Sequence, residues 1–328
     1  MTIWKKSSNR WQRRRGGALL AVLWLSAALS AIAYSLANTV RGEVERTSTE
    51  VDGLRSYYLA RAGIDRAILY MQWGDSTPLS APFKYKRGTP LLPFSFPSGQ
   101  AFVEVIPETA KLNINTAPPL ELVRLLLALG ADPARAELIA AAILDWRTPS
   151  APTQFDEFYQ SLIPSFRSRH ASFEETEELL LLRGMTRELY YGGYDHDARG
   201  RLVPHAGLRD CVSVFGSASA LDVNAVEPAV LVTIGFSPDA AAAIVARRRL
   251  QPFSSIGEVV GLVGGSPGLS RLRVGGNVIF TLCSTARLTL PNGQLSDLRR
   301  TVAATVIFRP DEDIKLQTLR WYDNAWIP

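Results

Sequence analysis

Few side chains in this sequence have reactive potential. Three histidines, His170, His196 and His205, are the candidates for acid–base or metal chemistry, and two cysteines, Cys211 and Cys283, for thiol chemistry. Asp195-His196-Asp197 has the residue types of a metal site, but glycines flank it and it reads as a solvated turn. Arg247, Arg248 and Arg249 form a cation cluster at the end of an alanine-rich stretch, where positive charge complements a helix dipole. Asn113, Asn115 and Asn224 read as turn and cap residues rather than catalysts. No nucleophile elbow, paired zinc motif or phosphate loop occurs. The expectation is therefore a protein that is not an enzyme.

The cysteines lie in the strand-like runs DCVSVF and IFTLCST. In an oxidising compartment a Cys211–Cys283 disulfide would close a long loop and stabilise the fold. The alternative is two small core residues, unbridged. Spacing does not decide between them.

The elements that position these residues begin with a long helix. Gly17–Ala37 carries no charge over 21 residues, roughly 31 Å of helix, enough to cross a bilayer core. Ala21, Trp24 and Leu25 lie in this span. Lys5, Lys6, Arg10, Arg13, Arg14 and Arg15 precede it with no acid among them, which keeps that end cytoplasmic. These six cations account for the formal net charge of +5; without them 30 basic residues face 31 acidic ones. The rest of the chain then has no global basic field with which to draw in nucleic acid.

Two readings of this start compete. A secretory signal would end in a small-residue cleavage site, which Ala31, Ala33 and Ala37 supply. A prepilin-type leader would instead be cut at Gly16 or Gly17 and leave the apolar helix on the mature protein. The second predicts a helix running on past the membrane. No proline occurs before Pro78, and Val40, Val44, Val51, Leu54, Tyr58, Ile64, Ile68 and Met71 recur near helical spacing among charges. Gly42, Gly53 and Gly63 weaken this helix by about 1 kcal/mol each without ending it.

After a proline-rich connection over Gly74–Ser98, Gln100–Pro107 alternates as a strand. An internal repeat follows: LNINTA at Leu112–Ala117 and LDVNAV at Leu221–Val226, each leading to a helix, a glycine turn and an alanine-rich helix ending in arginine. Asn115 and Asn224 are expected to cap the first helix of each repeat, and Gly130 and Gly235 to make the turns. Asp132-Pro133 and Ser237-Pro238 start the second helices. The repeat resembles a helix-hairpin-helix module. Leu208–Phe215, Asn277–Leu290, Arg299–Phe308 and Ile314–Tyr322 read as strands that would join Gln100–Pro107 in one sheet.

The expected class is α+β: a long N-terminal transmembrane, pilin-like helix packed on an antiparallel sheet, with inserted all-α, helix-hairpin-helix-like (SAM-like) subdomains. Its parts would be a leader over 1–16, the helix over 17–73 and a loop with first strand over 74–110. A helical insertion with the first repeat follows over 111–207. A strand over 208–218, the second repeat over 219–270 and C-terminal strands over 271–328 complete it.

Several motifs in order then resemble type II secretion system protein K, the large minor pseudopilin. They are RRRGGALLAVLW, YYLARAGIDRAI at Tyr57–Ile68, LNINTA, ILDW at Ile143–Trp146, ELLLLRGMTRELY at Glu178–Tyr190, the second Asn-x-Ala block at Asn224 and a closing LRWYD. The resemblance implies peptidase cleavage after Gly16, less favourably after Gly17, so that the fifth mature residue is Ala21 or Val22, where most pilin-like subunits carry glutamate. A subunit with alanine there has no buried charge to pair with a neighbour's N-terminal amine. That fits a place at the pseudopilus tip with the I and J type minor pseudopilins, after residence in the inner membrane with the head periplasmic. Expected partners are those subunits, the pseudopilus, the inner membrane and the prepilin peptidase, with no nucleic acid. The family's calcium-linked aspartates after its Asp-Trp motif are reduced here to Asp145, Asp156 and Glu157, short of the six to eight oxygens calcium takes; these three are the calcium candidates, and no other cofactor is expected. The repeat also resembles periplasmic DNA-receptor domains of competence systems, which makes a membrane-anchored DNA-binding protein the alternative function. Its hairpins, ALGAD and TIGFS, lack a second glycine for close backbone approach to phosphate.

Overall fold

A computed structural model describes residues 15–76, 88–149, 153–196, 199–309 and 316–325. The leader expected over 1–16 lies outside these except for Arg15 and Gly16, which are helical. Asp197 and most of the proline-rich connection also lie outside. The chain divides into two compact units, Met1–Ser56 and Tyr57–Pro328.

Helix α1 runs over Arg15–Ser76. In the first unit its described side chains are uncharged and exposed through residue 37 and mixed with charges beyond it. The helix is long and apolar enough to cross a membrane by length and composition.

In the second unit, α1 packs Leu59, Ala60, Ile64, Ala67 and Met71 onto a five-stranded antiparallel sheet. Its first strands are β1 (Leu91–Phe96) and β2 (Gly99–Pro107). β1 was not expected, because Pro93 argues against a strand. As the sheet's outermost strand, β1 accommodates a residue with no N–H to donate. Along β2, Ala101, Val103 and Val105 face α1. Gly63 is where the helix comes closest: a Cβ there would stand 2.9 Å from that of Ala101 and collide with the Ser284 hydroxyl.

The chain then leaves the sheet. In order come β3 (Leu112–Asn113), α2 (Pro119–Ala128), α3 (Pro133–Arg147), α4 (Gln154–Gln160) and α5 (Arg187–Tyr191). A hairpin of β4 (Gly193–His196) and β5 (Leu202–His205) follows, then α6 (Leu208–Cys211) and β6 (Val212–Ser213). The second repeat holds β7 (Leu221–Asp222), α7 (Pro228–Thr233), α8 (Pro238–Leu250), α9 (Ile256–Val263) and β8 (Leu272–Arg273). The sheet resumes with β9 (Ile279–Leu288), β10 (Arg300–Phe308) and β11 (Leu316–Tyr322), in the order β1-β2-β9-β10-β11.

This topology corrects one expectation. Leu208–Phe215 is not a strand of the main sheet. The Asp210 carboxylate accepts the Gly207 N–H at 2.9 Å, which turns Leu208–Cys211 into a helical turn. Val212 and Ser213 then pair in parallel with Leu112 and Asn113. Residues 108–278 therefore form one uninterrupted insertion between β2 and β9, which are neighbours in the sheet. The insertion has its own core, running from Leu112 through Trp146, Tyr159 and Tyr190 to Leu272.

Candidate functional site

The insertion is held by a polar frame that occurs twice. In the first repeat the Asn115 amide reaches across to Phe173, donating to its carbonyl at 3.0 Å and accepting its N–H at 2.7 Å. In the second, Asn224 does the same with Phe253, at 3.0 and 2.8 Å. Two residues upstream, the side chains of Asn113 and Asp222 accept the N–H of Asn115 and Asn224 at 2.9 and 3.1 Å. Each repeat's alanine-rich helix returns an arginine to the same turn. Arg147 donates to the carbonyls of Ile114 and Ala117 at 2.6 and 2.7 Å, and Arg248 to those of Val223 and Val226 at 2.9 and 2.6 Å. Burial lowers both guanidinium pKa values; beside Arg248, the Glu227 carboxylate opposes that shift. Burial also raises the Glu227 carboxyl, and Arg248 works against it.

Asn115 and Asn224 are thus clamps, not helix caps. Pro118 and Glu227 occupy the cap positions of α2 and α7, without side-chain bonds. Gly130 and Gly235 lie at the hairpin turns with φ of +90° and +114°. Asp132 and Ser237 cap α3 and α8, each accepting a backbone N–H, with proline at the first turn.

The joint between insertion and sheet escaped the sequence reading. Buried Asp222 accepts from the Gly275 N–H at 3.0 Å and the Asn277 amide at 2.6 Å, and the Thr109 hydroxyl donates to the Asn277 carbonyl oxygen at 3.0 Å. Arg320 of β11 pairs with Glu175 at 2.9 Å and lies over the Phe215 ring. The only signal for Asp222 was its alignment with Asn113 in the repeat.

The cysteines are both free. Cys211 lies inside the helical core, whereas Cys283 sits between Leu282 and Ser284 on β9 and points to the sheet face away from α1. The disulfide alternative is corrected: these are two separate thiols. Burial, then Glu227 and Asp210, pushes Cys211 up, and burial followed by Glu104 pushes Cys283 up to about 12. Neither environment favours a thiolate.

Asp145 and Asp156 come together, but around a histidine. His170, at φ +46°, directs Nδ1 to the Asp145 carbonyl at 3.2 Å and Nε2 to the Asp156 carboxylate at 2.9 Å. Both partners can only accept, so the arrangement favours the doubly protonated ring. Asp156 also accepts from the backbone N–H groups of Thr153 and Ser168, at 2.9 and 3.2 Å. Burial raises the Asp156 carboxyl, but these bonds and His170 outweigh it and leave the net pKa low. Burial lowers His170, and the bonds to Asp156 and Asp145 outweigh it and leave the net pKa high. Glu157 is exposed, away from this cluster's bonds. With the Asp156 oxygens engaged and a cation already beside them, these residues do not fit calcium. Among the described residues no three His, Cys, Asp or Glu side chains converge as a metal site.

Two members of the cation cluster are likewise engaged, while Arg249 is exposed. Arg248 is committed to its turn, and Arg247 donates to the Gln251 carbonyl, approaches Glu258 at 3.7 Å and lies over the Phe253 ring. His196 and His205 lie on the exposed β4–β5 hairpin.

On α1, Trp24 and Leu25 are exposed apolar residues, with Ala21 beside them. Gly17 has open space around its Cα.

A sheet packed on the latter part of a long helix, opened between neighbouring strands for a doubly clamped helical insertion, defines a pilin-like α+β fold with an apolar N-terminal helix. Residues 107–192 match the family described as "Type II secretion system (T2SS), protein K". Type II secretion system protein K of Klebsiella pneumoniae is 27% identical over 197 residues, 54% of this chain; the chain spans 60% of that relative's length. The fold is like one in the crystal structure of the GspK–GspI–GspJ complex from the type 2 secretion system of enterotoxigenic Escherichia coli. The TM-score is 0.59 at 15% identity, covering 84% of this chain and 98% of that one.

Proposed function

We propose that this protein is a minor pseudopilin of a type II secretion system that sits at the pseudopilus tip and assists its assembly, without enzymatic activity. The α1 helix anchors it in the inner membrane, with the N-terminus cytoplasmic and the head periplasmic. The prepilin peptidase removes the leader after Gly16. Its partners are the I and J type minor pseudopilins, the subunit kinds named with the related K chain.

The observation that carries this reading is the insertion. It enters a pilin-like sheet between β2 and β9, and the family match falls on its first repeat. A body of this size on the head would obstruct subunits above it in a shaft but not at an end. Ala21 supports the same place, since a terminal subunit needs no carboxylate for a neighbour's amine.

N-terminal sequencing of the membrane-extracted protein tests the anchor: the expected first residue is Gly17, and a start near Asn38 would refute it. Gly16→Leu is expected to leave the leader attached. Full-length protein extracted with the I and J type subunits is expected to co-purify with both; separation of a folded chain from both refutes the tip role.

A further inference from the structure

The two hairpin turns of the insertion share a backbone but not a cover. In the first, the N–H groups of Gly130 and Ala131 donate to the carbonyls of Leu127 and Leu126, both at 3.0 Å; in the second, those of Gly235 and Phe236 donate to Val232 and Leu231, both at 3.1 Å. The second turn is covered by its own chain. A 3-10 turn at Pro267–Arg271 begins on it: the Ser266 hydroxyl donates to the Gly235 carbonyl at 3.1 Å, and a Cβ on Gly268 would stand 2.5 Å from the Phe236 ring. Ile234 and Phe236 are buried. The first turn has no such cover. A Cβ on Gly130 would meet nothing within 4 Å, and among the described residues no hydrogen bond reaches the Gly130 carbonyl. Leu120 and Leu127 on α2 are exposed by 59% and 42%. The first repeat's counterpart of the covering segment, Leu182–Thr186, is seated on α3 instead: a Cβ on Gly184 would stand 3.1 Å from the Leu138 side chain.

We propose that the first hairpin turn is a docking site for a segment of another protein built like this chain's own Ser266–Leu269: a hydroxyl residue, a proline, then two apolar residues, with an acid beside them. The covered turn supplies the template. A hydroxyl on the incoming segment donates to the Gly130 carbonyl as Ser266 does to that of Gly235. Ala131 stands where the second turn has Phe236, so the space filled there by a ring against Gly268 is open here. It takes an apolar side chain in place of the glycine. Leu120, Arg124 and Leu127, four and three residues apart, share one face of α2. The two leucines form an apolar wall, and water released from it drives association. Arg124 between them is exposed and has no acidic partner among the described residues, since its neighbour Glu121 is bound to Arg271 at 2.6 Å. An acid on the incoming segment complements it. A nucleic-acid backbone is disfavoured, because the Asp132 carboxylate caps α3 beside the turn. The proposal goes beyond the pseudopilin reading and does not depend on it.

The test uses the full-length protein extracted from membranes, with a photo-crosslinking residue in place of Ala128, exposed beside the turn, or of Glu137, exposed on α3. The probe is the synthetic peptide Asp-Ser-Pro-Leu-Leu-Asp at about 1 mM, a concentration at which weak peptide docking registers. Adducts at Ala128 roughly tenfold above those at Glu137 are expected, falling to the Glu137 level when the probe's Ser-Pro is replaced by Ala-Ala. Arg124→Glu is expected to lower the Ala128 adduct about fivefold, the scale of one exposed ion pair. No adduct at Ala128, equal yields at the two positions, or a yield indifferent to the Ser-Pro replacement overturns the proposal. So does an Arg124→Glu chain that labels as strongly as the wild type. Leader cleavage and co-purification with the I and J type subunits are separate readouts, so failure here leaves the pseudopilin reading standing.

Discussion

The first and second repeats of the insertion close the same clamp over different lengths of chain. Asn224 reaches Phe253 across 29 residues, while Asn115 reaches Phe173 across 58. The bond lengths agree within about a tenth of an ångström, so the intervening chain does not set the clamp geometry. The longer loop instead carries its own staple, the histidine bridge from Asp145 through His170 to Asp156. Extra loop length costs little entropy by itself. What needs holding is the buried backbone that the loop brings, and the second repeat has no such segment to hold.

Removing the clamps gives the largest expected effect. Asn115→Leu and Asn224→Leu each leave a phenylalanine N–H and carbonyl without their side-chain partner. Each is expected to destabilise the protein by about 2–4 kcal/mol, because unmade bonds cost more than made ones return. Denaturant unfolding of both variants is the measurement. Losses differing by more than about 2 kcal/mol would mean that the repeats share a shape but not an energetic frame.

The staple separates the repeats by pH. The His170 pKa is raised in the fold, so its contribution is fully present below about 6.5, the unfolded value, and is lost as pH rises through the higher folded value. The Asp156 pKa is lowered, so its contribution is present above about 3.9 and lost as pH falls through the lower folded value. Wild-type stability should therefore decline as pH rises above about 6.5. His170→Gln should cost about 1–2 kcal/mol at pH 6 and abolish that part of the decline. An unchanged slope in the variant would place the titrating group elsewhere.

What the sequence disclosed follows the range of each interaction. The recurrence of Leu-x-[Ile/Val]-Asn-x-Ala revealed the repeat, and the Ser-Pro and Asp-Pro pairs its second helices. The sheet strands after Asn277 were legible from alternation. The clamps were not, since Phe173 and Phe253 lie far along the chain and nothing local ties them to an asparagine. A cap is the ordinary role of an asparagine before a helix, and here proline and glutamate take that place. Asp210 hid a helical turn inside an alternating stretch, and Pro93 hid an outer strand. The joint through Asp222, Asn277 and Thr109 exists only once both ends of the insertion are brought to the sheet.

The hairpin glycines refine the comparison at smaller scale. Gly130→Ala and Gly235→Ala both force a side chain into positive φ, at a cost of about 1 kcal/mol each. Gly235, at +114°, lies farther than Gly130, at +90°, from the left-handed region near +57° that other residues visit. Crowding does not separate them: a Cβ at Gly130 meets nothing within 4 Å, and at Gly235 it meets Gly268 N and Pro267 Cβ at an ordinary 3.6 Å. The second repeat should therefore lose more in thermal unfolding, by backbone conformation alone.

The smallest effect is expected where the insertion meets β11. Arg320→Ala removes the bond to Glu175 and the guanidinium over Phe215, both partly exposed, and should cost about 1 kcal/mol or less. The buried joint through Asp222 would keep the insertion on the sheet. Hydrogen exchange can tell the two contacts apart. In Arg320→Ala, faster exchange should be confined to the surroundings of Glu175 and Phe215. In Asp222→Ala, the N–H groups of Asn224 and Gly275 lose their acceptor, and exchange should quicken throughout β7 and β8. If Arg320→Ala instead loosened the second repeat, the surface pair would be the contact that holds the insertion, and the Asp222 joint would be secondary to it.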